Sequence, residues 1–358
     1  MAIKIVSSRK THIELLRIVA IMFVLFNHTG RRGFTLFLDS DGLLGTVYLF
    51  LSILCKTAVP IFFMLSGAFL LKKDEQIKDI LRKRVLRFVI TLAVITVVYH
   101  FYDVCFNQKA VGNFSTILNA FMSKSASGAL WYLYTYIGLM LMLPFLRNLV
   151  KSTTTKQYTY LIALNLILVG LLPIVSFWLS NGKYYYTKTF AASLATAISI
   201  FFFLMGHFFE NVVDASFYKL KNCIWLSVAA VVVLAVCAFS TLKRLDLGLG
   251  FDDSLTKGFH YTLVAVPTFS IYAWARFIFD HVAVRKWLAA TISHVGQCTF
   301  GVYLVERILR EQTVFMYNRL DAFLPRIVAC GLWIFAMVAI GTAVVSVIKL
   351  IPGVKKYI

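Results

Sequence analysis

The stretch LGTVYLFLSILCKTAVPIFFMLSGAFLL, residues 44–71, carries a single charged side chain, Lys56. A helix of about 20 predominantly apolar residues is long enough to cross the hydrocarbon core of a bilayer. The whole chain has the same character, because 60% of its 358 residues are apolar and only 15% are charged. Soluble domains are roughly 45–50% apolar and about 25% charged. This composition excludes a soluble enzyme, a disordered chain and a coiled coil, and it predicts an integral membrane protein.

Further apolar segments follow along the chain and predict an all-α, polytopic membrane protein with about ten transmembrane helices. The connections between them are too short for an independent soluble domain, and no internal repeat is visible. We therefore expect residues 1–358 to form one transmembrane domain. The predicted spans are approximately residues 13–30, 44–71, 86–104, 128–146, 159–179, 190–210, 222–241, 259–280, 295–310 and 326–350.

The positive charges predict the orientation of these spans. The chain has 36 lysine and arginine residues against 16 aspartate and glutamate residues, which gives a formal net charge of +20. Most of the basic residues lie in short clusters between apolar segments, and the densest cluster is at residues 72–87. Because cytoplasmic loops are enriched in lysine and arginine, we expect this cluster and both termini to be cytoplasmic. The distribution indicates contact with membrane lipids rather than binding of nucleic acid.

The six cysteines do not indicate a disulfide framework or a zinc site. They are scattered mostly through apolar segments, and no two of them form a Cys-x-x-Cys pair. The chain also has no P-loop, no G-x-G-x-x-G motif and no H-E-x-x-H motif. We therefore expect no bound metal ion.

The first predicted span, IELLRIVAIMFVLFNHTG (residues 13–30), contains residues suited to chemistry. Arg17 and His28 are eleven residues apart, about 16.5 Å of helix rise and close to three full turns, so both lie on one face. Glu14 can pair with Arg17 at a spacing of three residues. Charged side chains inside a span are costly and often functional. Alternatively, Arg17 extends to the inner headgroups, and His28, beside Asn27, is an interfacial residue solvated from outside.

This spacing suits an extended acyl donor. A cation near the cytoplasmic end of the span can hold one end of the donor, while an imidazole three turns away meets the thioester at the other end. Histidine is a natural proton acceptor for an attacking hydroxyl, because its ordinary pKa lies near working pH.

The spacing of Arg17 and His28 resembles the signature first helix of the acyltransferase family 3, the integral membrane O-acyltransferases of bacterial envelope polysaccharides. Other segments are similar to motifs of the same family, and the resemblance extends from residue 12 to about residue 306. These segments are AVPIFFMLSGAFLL (58–71), LRKRVLRF (81–88), LWYLYTYIGLMLMLPFL (130–146) and FFFLMGHFF (201–209).

The resemblance implies transfer of an acyl group, most often acetyl, from cytoplasmic acyl-CoA to a hydroxyl of an envelope glycan or its lipid-linked precursor. The reaction would take place at the bacterial plasma membrane. His28 would be the catalytic base, and Arg17 would hold the acetyl-CoA donor. Arg84 and Arg87 of the basic motif would bind the phosphates of CoA, although this loop is also the strongest topology anchor.

Six further residues are candidates for supporting roles: Glu14, Asn27, Ser66, Trp131, Tyr132 and Glu306. Ser66 lacks the G-x-S-x-G context of a nucleophile, and small residues such as Gly67 often pack between membrane helices, which favours packing. Trp131 and Tyr132 open the fourth span, where interfacial aromatic residues are common. Their role in lining the acceptor entrance is implied by the resemblance.

The late motif TFGVYLVERIL (299–309) departs from the family pattern, because Glu306 stands where a histidine is common. Two interpretations of Glu306 are open: it is a polar latch between helices, or it replaces that histidine in the chemistry. Glu306 and Arg307 point about 100° apart on a helix. We therefore expect each of them to meet a neighbouring helix rather than the other residue.

A transporter or flippase for a glycolipid or small metabolite is the alternative function, because it too would have charges inside its spans and a polar passage. Transporters typically contain internal repeats or pairs of interrupted helices. The chain shows no repeat, although Pro60, Pro173 and Pro267 interrupt predicted spans.

The orientation can be tested by labelling cysteines introduced at Lys78 and at Lys124 in a background without native cysteines. We expect an impermeant thiol reagent applied to intact cells to label position 124 and not position 78, because the loop at 72–87 is predicted to be cytoplasmic. The opposite labelling pattern would reverse the orientation and remove the argument for a cytoplasmic donor.

Overall fold

The computed structural model describes residues 8–123, 126–183, 193–254 and 258–357, and the regular secondary structure within these ranges is helical throughout. The predicted all-α fold is therefore confirmed for the described residues. Lys124 and the first residues of the span predicted at 190–210 lie outside these ranges.

The longer helices are numbered here in chain order. They are α1 (Ser8–Asn27), α2 (Gly42–Leu70), α3 (Ile77–Phe106), α4 (Phe114–Ser123), α5 (Gly128–Ser152), α6 (Thr155–Leu179), α7 (Ile198–Val212), α8 (Leu220–Asp246), α9 (Ala265–His281), α10 (Lys286–Asp321) and α11 (Arg326–Ile348). Short π-helical stretches occur within α3, α6 and α7.

Within the described residues, seven helices are long and apolar enough to cross a membrane, namely α2, α3, α5, α6, α8, α10 and α11. The other three predicted spans fall on α1, α7 and α9. The sequence of α1 includes four charged residues, Arg9, Lys10, Glu14 and Arg17, while α7 and α9 are shorter than the other spans. The protein is a multi-pass membrane protein; the count of ten spans and the position of the termini remain predictions.

The helix α1 lies at the centre of the arrangement, because it contacts α2, α9, α10 and α11. Its apolar side chains are divided between two core clusters: Leu16 and Ala20 belong to one, and Ile21 and Leu25 to the other. All four are buried. The polar residues of α1 therefore face neighbouring helices or the space between them.

The helix α2 is interrupted in the middle of the predicted span. Its two helical segments are Gly42–Cys55 and Ala58–Leu70. In the connecting turn, the backbone N–H of Lys56 donates to Ile53 and that of Thr57 donates to Leu54. Pro60 follows in the first turn of the second segment, where the missing N–H of proline leaves no hydrogen bond unmade. The interruption places a lysine side chain between helices, in the membrane region.

Small residues allow α2 and α7 to cross with their backbones in contact. A Cβ atom added to Gly67 of α2 would overlap the carbonyl oxygen of Phe203, and one added to Gly206 of α7 would overlap that of Met64. The packing role predicted for the Ser66–Gly67 pair is thus confirmed for Gly67. The crossing joins α7 directly to the second segment of α2.

Alanine at Gly67 or Gly206 should destabilise the protein, because the added methyl group must push two backbones apart. Overpacking of this kind typically costs about 1–3 kcal/mol, and thermal unfolding of the purified protein in detergent would measure the loss. Gly138 in α5 is the matched control, because a Cβ atom there meets nothing within 4 Å. Alanine at Gly138 should be neutral or mildly stabilising, and equal losses at all three positions would contradict the crossing.

Candidate functional site

A central cavity of about 510 Å³ lies between α1, α2, α3, α5, α10 and the segment that connects α8 to α9. Arg17 and His28 both line it, which confirms that they face the same side, although His28 lies just past the end of α1. Seven of the ten site residues predicted from the sequence line this cavity: Arg17, Asn27, His28, Ser66, Arg87, Trp131 and Tyr132. The other three, Glu14, Arg84 and Glu306, lie outside its lining.

His28 follows directly after the last residue of α1, and its imidazole meets a carboxylate from α10. The Nδ1 atom lies 3.2 Å from Oε2 of Glu306, and the side chain of Glu306 is only 2% exposed. The contact is ionic, because neither atom has a hydrogen-bond partner among the described residues, and Nε of Arg310 lies 3.8 Å from the same carboxylate oxygen. Arg310, one turn further along α10, donates from Nη1 to the backbone carbonyl of His28 at 3.0 Å. The imidazole therefore contacts Glu306 through Nδ1 and not through Nε2.

A second cavity, of about 420 Å³, also reaches His28. Its lining includes Glu306, Arg307, Arg310 and Lys109, and His28 therefore borders both cavities. Arg307 turns to Asp103 of α3, whereas Glu306 turns to α1. This arrangement confirms the prediction that the two adjacent charges contact neighbouring elements rather than each other. The pairing of Glu306 with His28 was not predicted, because the sequence does not show which helix α10 faces.

At the end of the cavity nearest to residues 72–87, two arginines contribute to the lining. Nη1 of Arg17 lies 2.9 Å from Oε1 of Glu14, as predicted from their spacing. The pair sits where α10 approaches α1 closely, since a Cβ atom at Gly296 would overlap Glu14. Arg87 has a buried Nε with no hydrogen-bond partner in the described residues. This end of the cavity therefore offers donors to an anionic ligand.

Arg84 is separated from Arg87 by its contacts. Its Nε and Nη2 atoms donate to Glu75 at 2.9 and 2.6 Å, and Nη2 of Arg147 donates to the same carboxylate at 2.7 Å. The hydrogen bonds from Arg84, reinforced by Arg147, lower the pKa of Glu75 to about 2. The carboxylate is therefore charged at any physiological pH and holds Arg84 away from the cavity.

The interruption of α2 brings Lys56 into the cavity wall. Its Nζ lies 2.6 Å from Oδ2 of Asp253, and both residues line the cavity. The side-chain amide of Asn27 donates to the carbonyl of Cys55 at 2.9 Å and so connects this turn to the end of α1. Asp253 was missed by the sequence analysis. An intramembrane lysine requires a counter-charge, and that requirement is the signal that could have directed attention to Asp252-Asp253.

Ser66 and Tyr132 pack within the cavity wall, Ser66 through a hydrogen bond and Tyr132 through its ring. The hydroxyl of Ser66 donates to the carbonyl of Phe62 at 2.9 Å, and no described base contacts it. The ring of Tyr132 packs against Phe63 at 5.0 Å and edge-on to Tyr303 at 5.7 Å. These contacts shape the cavity and give Ser66 no activated hydroxyl. Among the described residues, no group of three or more histidine, cysteine, aspartate or glutamate side chains could hold a metal ion.

The chain matches a known protein family along almost its whole length. Residues 11–350 match the family described as acyltransferase domain, of the acyltransferase 3 type. No curated protein and no solved structure matches the chain significantly. The match covers Arg17, His28 and every helix that borders the cavity. The chain therefore belongs to the acyltransferase 3 family and is a membrane acyltransferase with an acyl donor and an acceptor substrate.

Proposed function

We propose that this protein transfers an acetyl group from cytoplasmic acetyl-CoA to a hydroxyl of an envelope glycan or its lipid-linked precursor, at the bacterial plasma membrane. The observation that carries the proposal is the position of His28. Its imidazole borders two cavities, is held at Nδ1 by a buried carboxylate, and keeps Nε2 free of described partners. This is the arrangement in which a histidine acts as a general base.

The donor occupies the central cavity with its CoA end toward the arginines. Arg17 and Arg87 supply guanidinium donors at that end, and guanidinium groups bind phosphate oxygens well. The rise of about 16.5 Å along α1 from Arg17 to His28 is comparable to an extended phosphopantetheine arm. The thioester then lies beside His28. Since Arg84 is held by Glu75, which also accepts from Arg147, its proposed role is at the entrance of the cavity rather than inside it.

In the proposed reaction, one proton moves from the acceptor hydroxyl to the CoA sulfur by way of His28. Nε2 of His28 accepts the proton of the acceptor hydroxyl as its oxygen attacks the thioester carbonyl. The C–S bond then breaks, and the imidazolium returns the proton to the departing CoA sulfur. Glu306 stabilises the transient imidazolium through Nδ1, because its carboxylate lies 3.2 Å away. The product is an O-acetyl ester and free CoA.

The family match favours this enzyme over the transporter alternative, because the matched domain is an acyltransferase domain. The ion pairs inside the helices are compatible with an acyltransferase and with a transporter, and so they do not discriminate between the two. The free imidazole nitrogen at the junction of two cavities has a direct use in acyl transfer.

The release of CoA thiol from acetyl-CoA by purified protein tests the proposal. His28→Ala should lower turnover about 10²–10⁴-fold, the usual contribution of a general base, and leave acetyl-CoA affinity largely intact. Arg17→Ala should instead weaken acetyl-CoA binding, and Arg17→Lys should restore it only partly, because lysine lacks the planar fork. Near wild-type turnover in His28→Ala would contradict the catalytic assignment.

Glu306→Gln provides a separate test of the carboxylate. If Glu306 stabilises the imidazolium, this variant should lower turnover at unchanged acetyl-CoA affinity, because a neutral amide cannot balance the positive charge that His28 takes up. The rate of CoA release measures the loss, with Glu311→Gln, a more exposed carboxylate on the same helix, as control. A lower melting temperature with unchanged turnover would make Glu306 a latch only.

A further inference from the structure

The wall of the central cavity contains an ion pair that the proposed chemistry does not use. The side chain of Lys56 is 8% exposed and its Nζ lies 2.6 Å from Asp253, whose side chain is 44% exposed. Burying an ammonium group within a membrane protein is costly. Ion pairs of this type are often replaceable by apolar residues without loss of stability. Stability alone therefore does not account for the pair.

The pair is tied to the backbone beside His28. The turn that carries Lys56 accepts a hydrogen bond from Asn27, the residue before His28, through the carbonyl of Cys55. The side chains of His28, Lys56 and Asp253 all line the same cavity. A ligand that fills the cavity next to the imidazole therefore meets both charges of the pair.

Aromatic rings surround these charges. The Nζ atom of Lys56 lies 4.3 Å from the centre of the Phe34 ring and 5.1 Å from that of Tyr261. Tyr261, Trp131 and Tyr132 also line the cavity. Binding sites for small molecules combine apolar and aromatic surfaces with a few placed polar groups. A sugar ring matches such a wall, since its C–H face packs on aromatic rings and its rim carries hydroxyls.

We propose that Lys56 and Asp253 form the acceptor subsite and bind a neutral sugar ring through two of its oxygens, so that a further hydroxyl faces His28. The proposal rests on the function proposed above. The ammonium donates to one sugar oxygen, and the exposed carboxylate accepts from a neighbouring hydroxyl. Because the two charges balance each other, the subsite has no excess charge and favours neutral sugars over acidic ones.

The test uses the purified full chain, acetyl-CoA and four soluble probes. The neutral probes are the p-nitrophenyl β-glycosides of glucose, galactose and N-acetylglucosamine, and the acidic probe is p-nitrophenyl β-glucuronide. At least one neutral probe should accelerate CoA release in a saturable manner. Asp253→Asn and Lys56→Gln should raise the KM for that probe at least about tenfold, as expected for loss of a charge-assisted hydrogen bond, with acetyl-CoA affinity unchanged.

Asp39→Asn is the matched control, because Asp39 forms a surface ion pair with Arg31 at 4.0 Å and lines no described cavity. It should leave the KM for both substrates unchanged. Asp253→Asn carries the test if Lys56→Gln does not fold, since the Asp253 side chain is partly exposed.

Three results would overturn the subsite. They are an unchanged KM with a lowered melting temperature in Asp253→Asn, acceleration by the glucuronide alone, and no acceleration by any neutral probe in protein that binds acetyl-CoA. Failure of the wild-type protein to bind acetyl-CoA is a different result. It would contradict the proposed function itself, and the subsite with it.

Discussion

The contact between His28 and Glu306 joins the end of α1 to the middle of α10. A carboxylate with 2% side-chain exposure cannot remain charged without a partner, so α10 must present Glu306 to the imidazole or to Arg310. Further along the pair of helices, Gly296 of α10 allows the backbone to approach Glu14. These two contacts hold α1 and α10 side by side from one end of the cavity to the other. The wall on which Arg17 and His28 lie depends on them.

The other charged side chains near the cavity also require partners of opposite charge, because an unpaired charge is costly where water is scarce. Arg17 pairs with Glu14, Lys56 with Asp253, and Arg307 with Asp103. Arg87 differs, because its buried Nε has no described partner. In the proposed function, this missing partner is supplied by a phosphate oxygen of the donor.

The sequence predicted those features that depend on composition and helical spacing. The all-helical fold, the shared face of Arg17 and His28, and the Glu14–Arg17 pair follow from local rules. Contacts between distant segments could not be predicted in this way. The partners of Glu306 and Lys56 lie 278 and 197 positions away in sequence, and only helix packing brings them together. Arg84 and Arg87 appeared equivalent in the basic motif, yet Glu75 draws Arg84 out of the lining.

The location of His28 between two cavities constrains how the proposed reactants meet. In the proposed function, the donor binds in the central cavity, because Arg17 and Arg87 line that cavity and not the second one. Arg310 lines the second cavity and also donates to the backbone carbonyl of His28. One hydrogen bond therefore links the lining of the second cavity to the backbone of His28.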